Sequence, residues 1–209
     1  MRKSAIVNLN SSKILVNLRQ NYLIVIFSAV YILGVFLGTF LVSKNSAIGT
    51  AAQAEFSNYL TARQSVGFLN IFFNSFLDIL PLVLAVFLCG TSLVGVALIP
   101  LSIAFKGIIF GTLSGYLYST HLLKGIAFNA IILIPSNFIS IVAFLICAKI
   151  SYNFSLILIR ATLPRGQAVN LCKDFQNYCK SFFISLTLFC LSALFDALMS
   201  VGFIKLFTF

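Results

Sequence analysis

Asp196 is the acid that lies well inside an apolar run, the stretch Phe182–Ile204. A carboxylate at that depth in a membrane span is costly unless it is paired, hydrated or protonated. It therefore marks a structural hydrogen bond, a contact with a partner protein, or a polar path. Asn129, Asn137 and the carbonyls freed by Pro135 are the structural partners that the residue types suggest. Asn129 with Ser136 and Asn137 makes a second polar island beside Pro135, and transporters use such broken helices to hold a solute. Asp78 follows Asn70 and Asn74 at spacings of four, a polar stripe opposite Phe72, Phe73, Phe76 and Ile79.

Little else in the chain has the chemistry of catalysis. One histidine, His121, and four acids are all it carries. There is no H-E-x-x-H helix, no pair of facing aspartates within spans, no G-x-S-x-G elbow, no Walker A loop and no dinucleotide fingerprint. The five cysteines lack C-x-x-C spacing, and His121 has no cysteine or acid near it in sequence, so neither a metal site nor a cofactor is expected. The residues point to a protein that is not an enzyme.

The elements holding these residues must be membrane helices. Of 209 residues, 60% are hydrophobic and 9% charged, with mean hydropathy +1.07. A soluble domain carries about 25% charge, and no water-soluble core of this size hides such an apolar excess. The net charge of +10 is dispersed at the ends of apolar runs, with no basic stripe, so no nucleic-acid partner is expected. The lipid bilayer is the partner that composition dictates.

The expected architecture is all-α: a polytopic membrane bundle of about five transmembrane helices, with an amphipathic interfacial helix and a broken fourth helix, in a single integral membrane domain over 1–209. The spans are expected at about 22–43, 82–104, 107–123, 137–153 and 182–204. Residues 44–80 form an extracytoplasmic segment, in which 66–80 makes an interfacial elbow through Asn70, Asn74 and Asp78. Pro100 is expected to kink the second span near its end, and Lys106 to mark a tight turn. Pro135 breaks the fourth region into a short piece at 126–134 and a spanning helix from Asn137; one long, kinked helix is the alternative. Residues 154–181, with the basic stretch around Pro164-Arg165-Gly166, form the cytoplasmic connection. Ten Lys and Arg residues then fall inside and four outside, which places the N-terminus in the cytoplasm and the C-terminus outside.

Gly107, Gly111 and Gly115 recur at four-residue spacing in the third span. That spacing puts them on one helix face, where a second backbone can approach to van der Waals contact in lipid. The groove is open to one of the chain's own helices, the preferred occupant, or to a partner's.

Five blocks in order carry a family resemblance. They are Tyr22–Val25 with Leu33-Gly34-Val35-Phe36-Leu37-Gly38; Phe73-Asn74-Ser75-Phe76; Lys106-Gly107 through Gly111 to Gly115; Ile134-Pro135-Ser136-Asn137; and Ser192–Ala197. Together the chain resembles the stage II sporulation protein M family of endospore-forming Firmicutes. The elbow has Asn74-Ser75 where more asparagine is expected, and the last block has Asp196 where the family pattern has Glu. The resemblance implies a scaffold of the septal membrane during engulfment. It also implies two peptidoglycan-degrading partners, a lytic transglycosylase (stage II sporulation protein D) and an amidase/endopeptidase (stage II sporulation protein P). A small-solute transporter or channel subunit using the broken fourth helix is the alternative, and self-association as a homo-oligomer is open to either.

Overall fold

A computed structural model describes residues 21–44, 46–64, 67–162 and 171–203. The stretch around Pro164-Arg165-Gly166, Lys205 and the expected end of the last span at Ile204 lie outside the described residues, as do the basic residues of 1–20. Among the described residues the structure is helical, without strands. The helices are α1 (Tyr22–Lys44), α2 (Ser46–Gln64), α3 (Phe68–Gly90), α4 (Gly95–Phe128), a π-helical turn (Asn129–Leu133), α5 (Ile134–Thr162) and α6 (Leu171–Phe203).

Four helical stretches are long and apolar enough to cross a membrane: Tyr22–Lys44, Phe68–Gly90, Gly95–Thr162 and Leu171–Gly202. The third has 68 residues, about 100 Å if straight and far beyond a bilayer core of about 30 Å. It is not straight. Leu122 takes φ 45° and ψ −123°, a left-handed conformation that costs a non-glycine residue of order 1–3 kcal/mol. The chain doubles back there: Lys106 meets Ser140 and Tyr118 meets Asn129. Those pairings are symmetric about residues 122–124, as in an antiparallel hairpin.

Several helix boundaries differ from the sequence expectation. The turn expected at Lys106 lies instead at Thr91–Val94, where Thr91 and Ser92 donate their backbone N–H groups back to the last carbonyls of α3. Lys106 stands in the middle of α4. Of the interfacial elbow expected at 66–80, residues 68–80 form the first half of α3, which leads through Pro81 to Gly90 as one helix. Pro100 consequently lies near the start of α4 rather than the end of a span. The polar segment 46–64 is a helix of its own, with five alanines, the best of the helix formers.

Pro135 breaks nothing. Proline removes an N–H and clashes with the preceding turn, and the π-helical turn before it absorbs that misfit, with the Ile134 N–H reaching back to the Asn129 carbonyl. Helix α5 then runs unbroken to Thr162, so the single kinked helix replaces the two-piece arrangement of 126–134 and 137–153, and 154–162 continues α5.

α1 packs along α4, α5 pairs with α6, and α3 fills the angle between them. The main core joins Phe27, Val86, Ile99, Ile103, Phe144 and Phe189. A smaller cluster of Phe56, Leu117, Phe128 and Ile132 fastens α2 over the hairpin end. At the other end Tyr178 stacks between Phe87 and Phe154, with ring centroids 5.0 and 4.5 Å away. Its hydroxyl donates to the Phe87 carbonyl at 2.9 Å, linking α6 to α3.

Candidate functional site

Arg63, near the C-terminal end of α2, reaches into the bundle and meets Asp196 on α6. Its Nη2 lies 2.7 Å from the Asp196 carboxylate, and the two side chains are 6% and 11% exposed. Ser75 of α3 completes the triangle, donating to Asp196 Oδ2 at 2.6 Å and accepting from Arg63 Nη2 at 3.0 Å. Tyr59, one turn before Arg63, places its ring 3.5 Å beneath the guanidinium. Burial, then the neighbouring Asp196 carboxylate, holds the Tyr59 phenol well above its ordinary range, so it stays neutral. The charge of Asp196 is thus answered by an arginine, a hydroxyl and a stacked phenol from two other helices.

These side chains edge a cavity of about 240 Å³ between α2, α3, α4, α5 and α6, just under the usual range of small-molecule pockets, about 300–1,000 Å³. Asp78 and Asn137 line it together with Asp196. Lys106 enters from α4, donating to Ser140 Oγ at 2.8 Å with the Phe144 ring centroid 4.8 Å from its Nζ. Among the described residues no three His, Cys, Asp or Glu side chains converge on a common point.

Asn70, Asn74, Asn129, Pro135 and the glycine ladder, also singled out in the sequence, lie outside the cavity. Asn129 is buried, donating its amide to the Tyr118 hydroxyl, and Asn137 donates to the Tyr31 hydroxyl at 2.7 Å. Neither they nor the carbonyls near Pro135 bind Asp196. Asn70 and Asn74 are exposed on α3.

Gly107, Gly111 and Gly115 face α1. A Cβ built on Gly107 would lie 2.5 Å from the Tyr31 carbonyl oxygen, and one on Gly115 would lie 3.1 Å from Thr39 Cα. Gly34 of α1 answers them, with its own Cβ position 2.5 Å from the Ala104 oxygen. The groove is filled by the chain's own first helix.

Tyr59, Arg63, Ser75, Lys106 and Ser140 were not singled out for this site from sequence. A lone intramembrane acid calls for a cation, and Tyr59 and Arg63 stand at helical i, i+4 spacing; those are the signals that could have found the clamp.

Comparison with known families matches residues 24–201 to the model described as stage II sporulation protein M. No curated protein and no solved structure gives a significant match.

Proposed function

Since the chain belongs to the stage II sporulation protein M family, and is thereby a membrane protein of sporulation, we propose that it is a non-enzymatic scaffold that localises wall-degrading enzymes at the engulfing membrane. The observation that carries this reading is the family match across nearly all of the helical bundle, 24–201. The partners are a lytic transglycosylase and an amidase/endopeptidase of the stage II sporulation protein D and P types. Helix α2 is the element we assign to meet them. It is too polar to span, it is fixed to the bundle by Arg63, and it turns Gln53, Glu55 and Asn58 outward.

The proposed topology has five crossings, with the 68-residue stretch counted as two because of the reversal at Leu122. The N-terminus is cytoplasmic and α2 extracytoplasmic. With Lys106 inside the bilayer, nine Lys and Arg residues fall inside and four outside, so the positive-inside bias survives the move. A reporter enzyme active only outside the cytoplasm, fused after Phe209, should be active; silence would rule the topology out.

The scaffold reading is tested by affinity purification in mild detergent from sporulating cells. The tagged chain should bring down both wall-degrading enzymes, and an unrelated tagged polytopic protein should bring down neither. Recovery of neither enzyme with the tagged chain overturns it.

A further inference from the structure

Lys106 has no role in the clamp around Asp196. It stands 11 residues into α4 from Gly95, about 16 Å along the helix and inside its apolar stretch. No ion-pair partner is found for it among the described residues. Its ammonium has one hydrogen bond, to Ser140, and the faces of Phe144 and Phe189, 4.8 and 5.9 Å from the ring centroids. A lysine at this depth is expensive unless an anion compensates it. Arg63 and Asp196 answer each other, and Asp78 of the cavity lining makes no ion pair with Lys106, so the ammonium is open to an anion from outside the bundle.

The cavity has a direction of access. Tyr59 and Arg63 of α2 form part of its wall. The exposed lining residues are Asp78 on α3 and Ile109 on α4, which is 47% exposed. The gap between these two helices therefore faces sideways, and Ile79, Phe110 and Leu113 give it an apolar rim.

We propose that this cavity binds the phosphate of an anionic lipid, which enters laterally between α3 and α4 and places its charge against Lys106. The acyl chains stay along the apolar rim, in contact with the bilayer they came from. The Ser140 hydroxyl holds the ammonium in place and leaves its other two N–H groups free for phosphate oxygens. Asp78 at the mouth disfavours a second negative charge, so a phosphodiester monoanion fits better than a doubly charged headgroup. This inference does not rest on the scaffold reading and stands or falls separately from it.

The absence of tryptophan makes a direct test available. Ile109→Trp places a single fluorophore at the mouth, and Phe36→Trp places one on the 68% exposed outer face of α1, away from the cavity. The full chain is reconstituted in phosphatidylcholine vesicles containing dibrominated phosphatidylglycerol or dibrominated phosphatidylcholine as quencher. Ile109→Trp should be half-quenched at a several-fold lower mole fraction of the anionic lipid, while Phe36→Trp responds equally to both.

Adding Lys106→Gln to Ile109→Trp should abolish the preference, and adding Lys106→Arg should retain it. Undiminished quenching by brominated phosphatidylcholine verifies that each variant is seated in the bilayer. Equal quenching of Ile109→Trp by both lipids overturns the proposal, as does a preference that survives Lys106→Gln. Erasure of the preference by millimolar inorganic phosphate overturns the lateral lipid and assigns the site to a water-borne anion.

Discussion

Asp196→Asn should destabilise the protein by about 3–5 kcal/mol, the usual cost of removing one partner from a buried ion pair. The substitution keeps the shape of the side chain and removes its charge, leaving Arg63 in an environment where its side chain is 6% exposed. Ser75 also loses its charged acceptor. Because Arg63 is the polar anchor of α2, the first consequence is local: α2 lifts from the bundle and becomes sensitive to protease. Denaturant titration of the purified protein in detergent measures the global loss, and limited proteolysis across residues 46–64 measures the local one. The double variant Arg63→Met with Asp196→Leu should recover most of the stability, since well-packed apolar replacements of a buried pair are often neutral or stabilising. Asp196→Asn within about 1 kcal/mol of wild type would mean that the pair does not hold α2.

The second large effect is expected at the glycine face of α4 that packs against α1. Gly111→Leu puts a branched side chain where even a Cβ would lie 2.9 Å from Val35 Cα. The obstacle is backbone, which cannot rotate aside, so α1 must move along its whole contact with α4. A loss of at least about 4 kcal/mol follows, in the range reserved for a broken core. It should be visible as aggregation in size-exclusion chromatography and a lowered unfolding midpoint. Gly49 provides the control, because nothing lies within 4 Å of a Cβ built there. Gly49→Leu should leave the elution profile unchanged, and a Gly111→Leu protein that also elutes normally would remove the α1–α4 contact from the account of the fold.

What could be read in the sequence was local in spacing. The glycine ladder, the apolar excess and the polar stripe of α3 are all patterns within a few turns of helix. What could not be read depends on pairing over distance. Arg63 and Asp196 are 133 positions apart, and nothing between them reports that α2 folds back onto α6. Charge itself misled at Lys106: a lysine between apolar runs reads as a boundary, yet the turn lies at Thr91–Val94, in a stretch without charge. Pro135 misled in the opposite way, since a proline that usually ends a helix is accommodated by one wide turn. The clamp at Asp196 was legible as a demand for a partner, and the identity of that partner was not.

The seam between α1 and α4 also has a consequence in time. Gly38 leaves the ribosome about 70 residues before Gly111. At synthesis rates of about 5–20 residues per second, that is an interval of roughly 4–15 s. Throughout it the first helix lies in the bilayer with its glycine face uncovered, open to any other helix able to approach that closely. The bundle closes only when the fourth helix arrives, so the order of biogenesis, as well as the final packing, depends on that face waiting for its own chain.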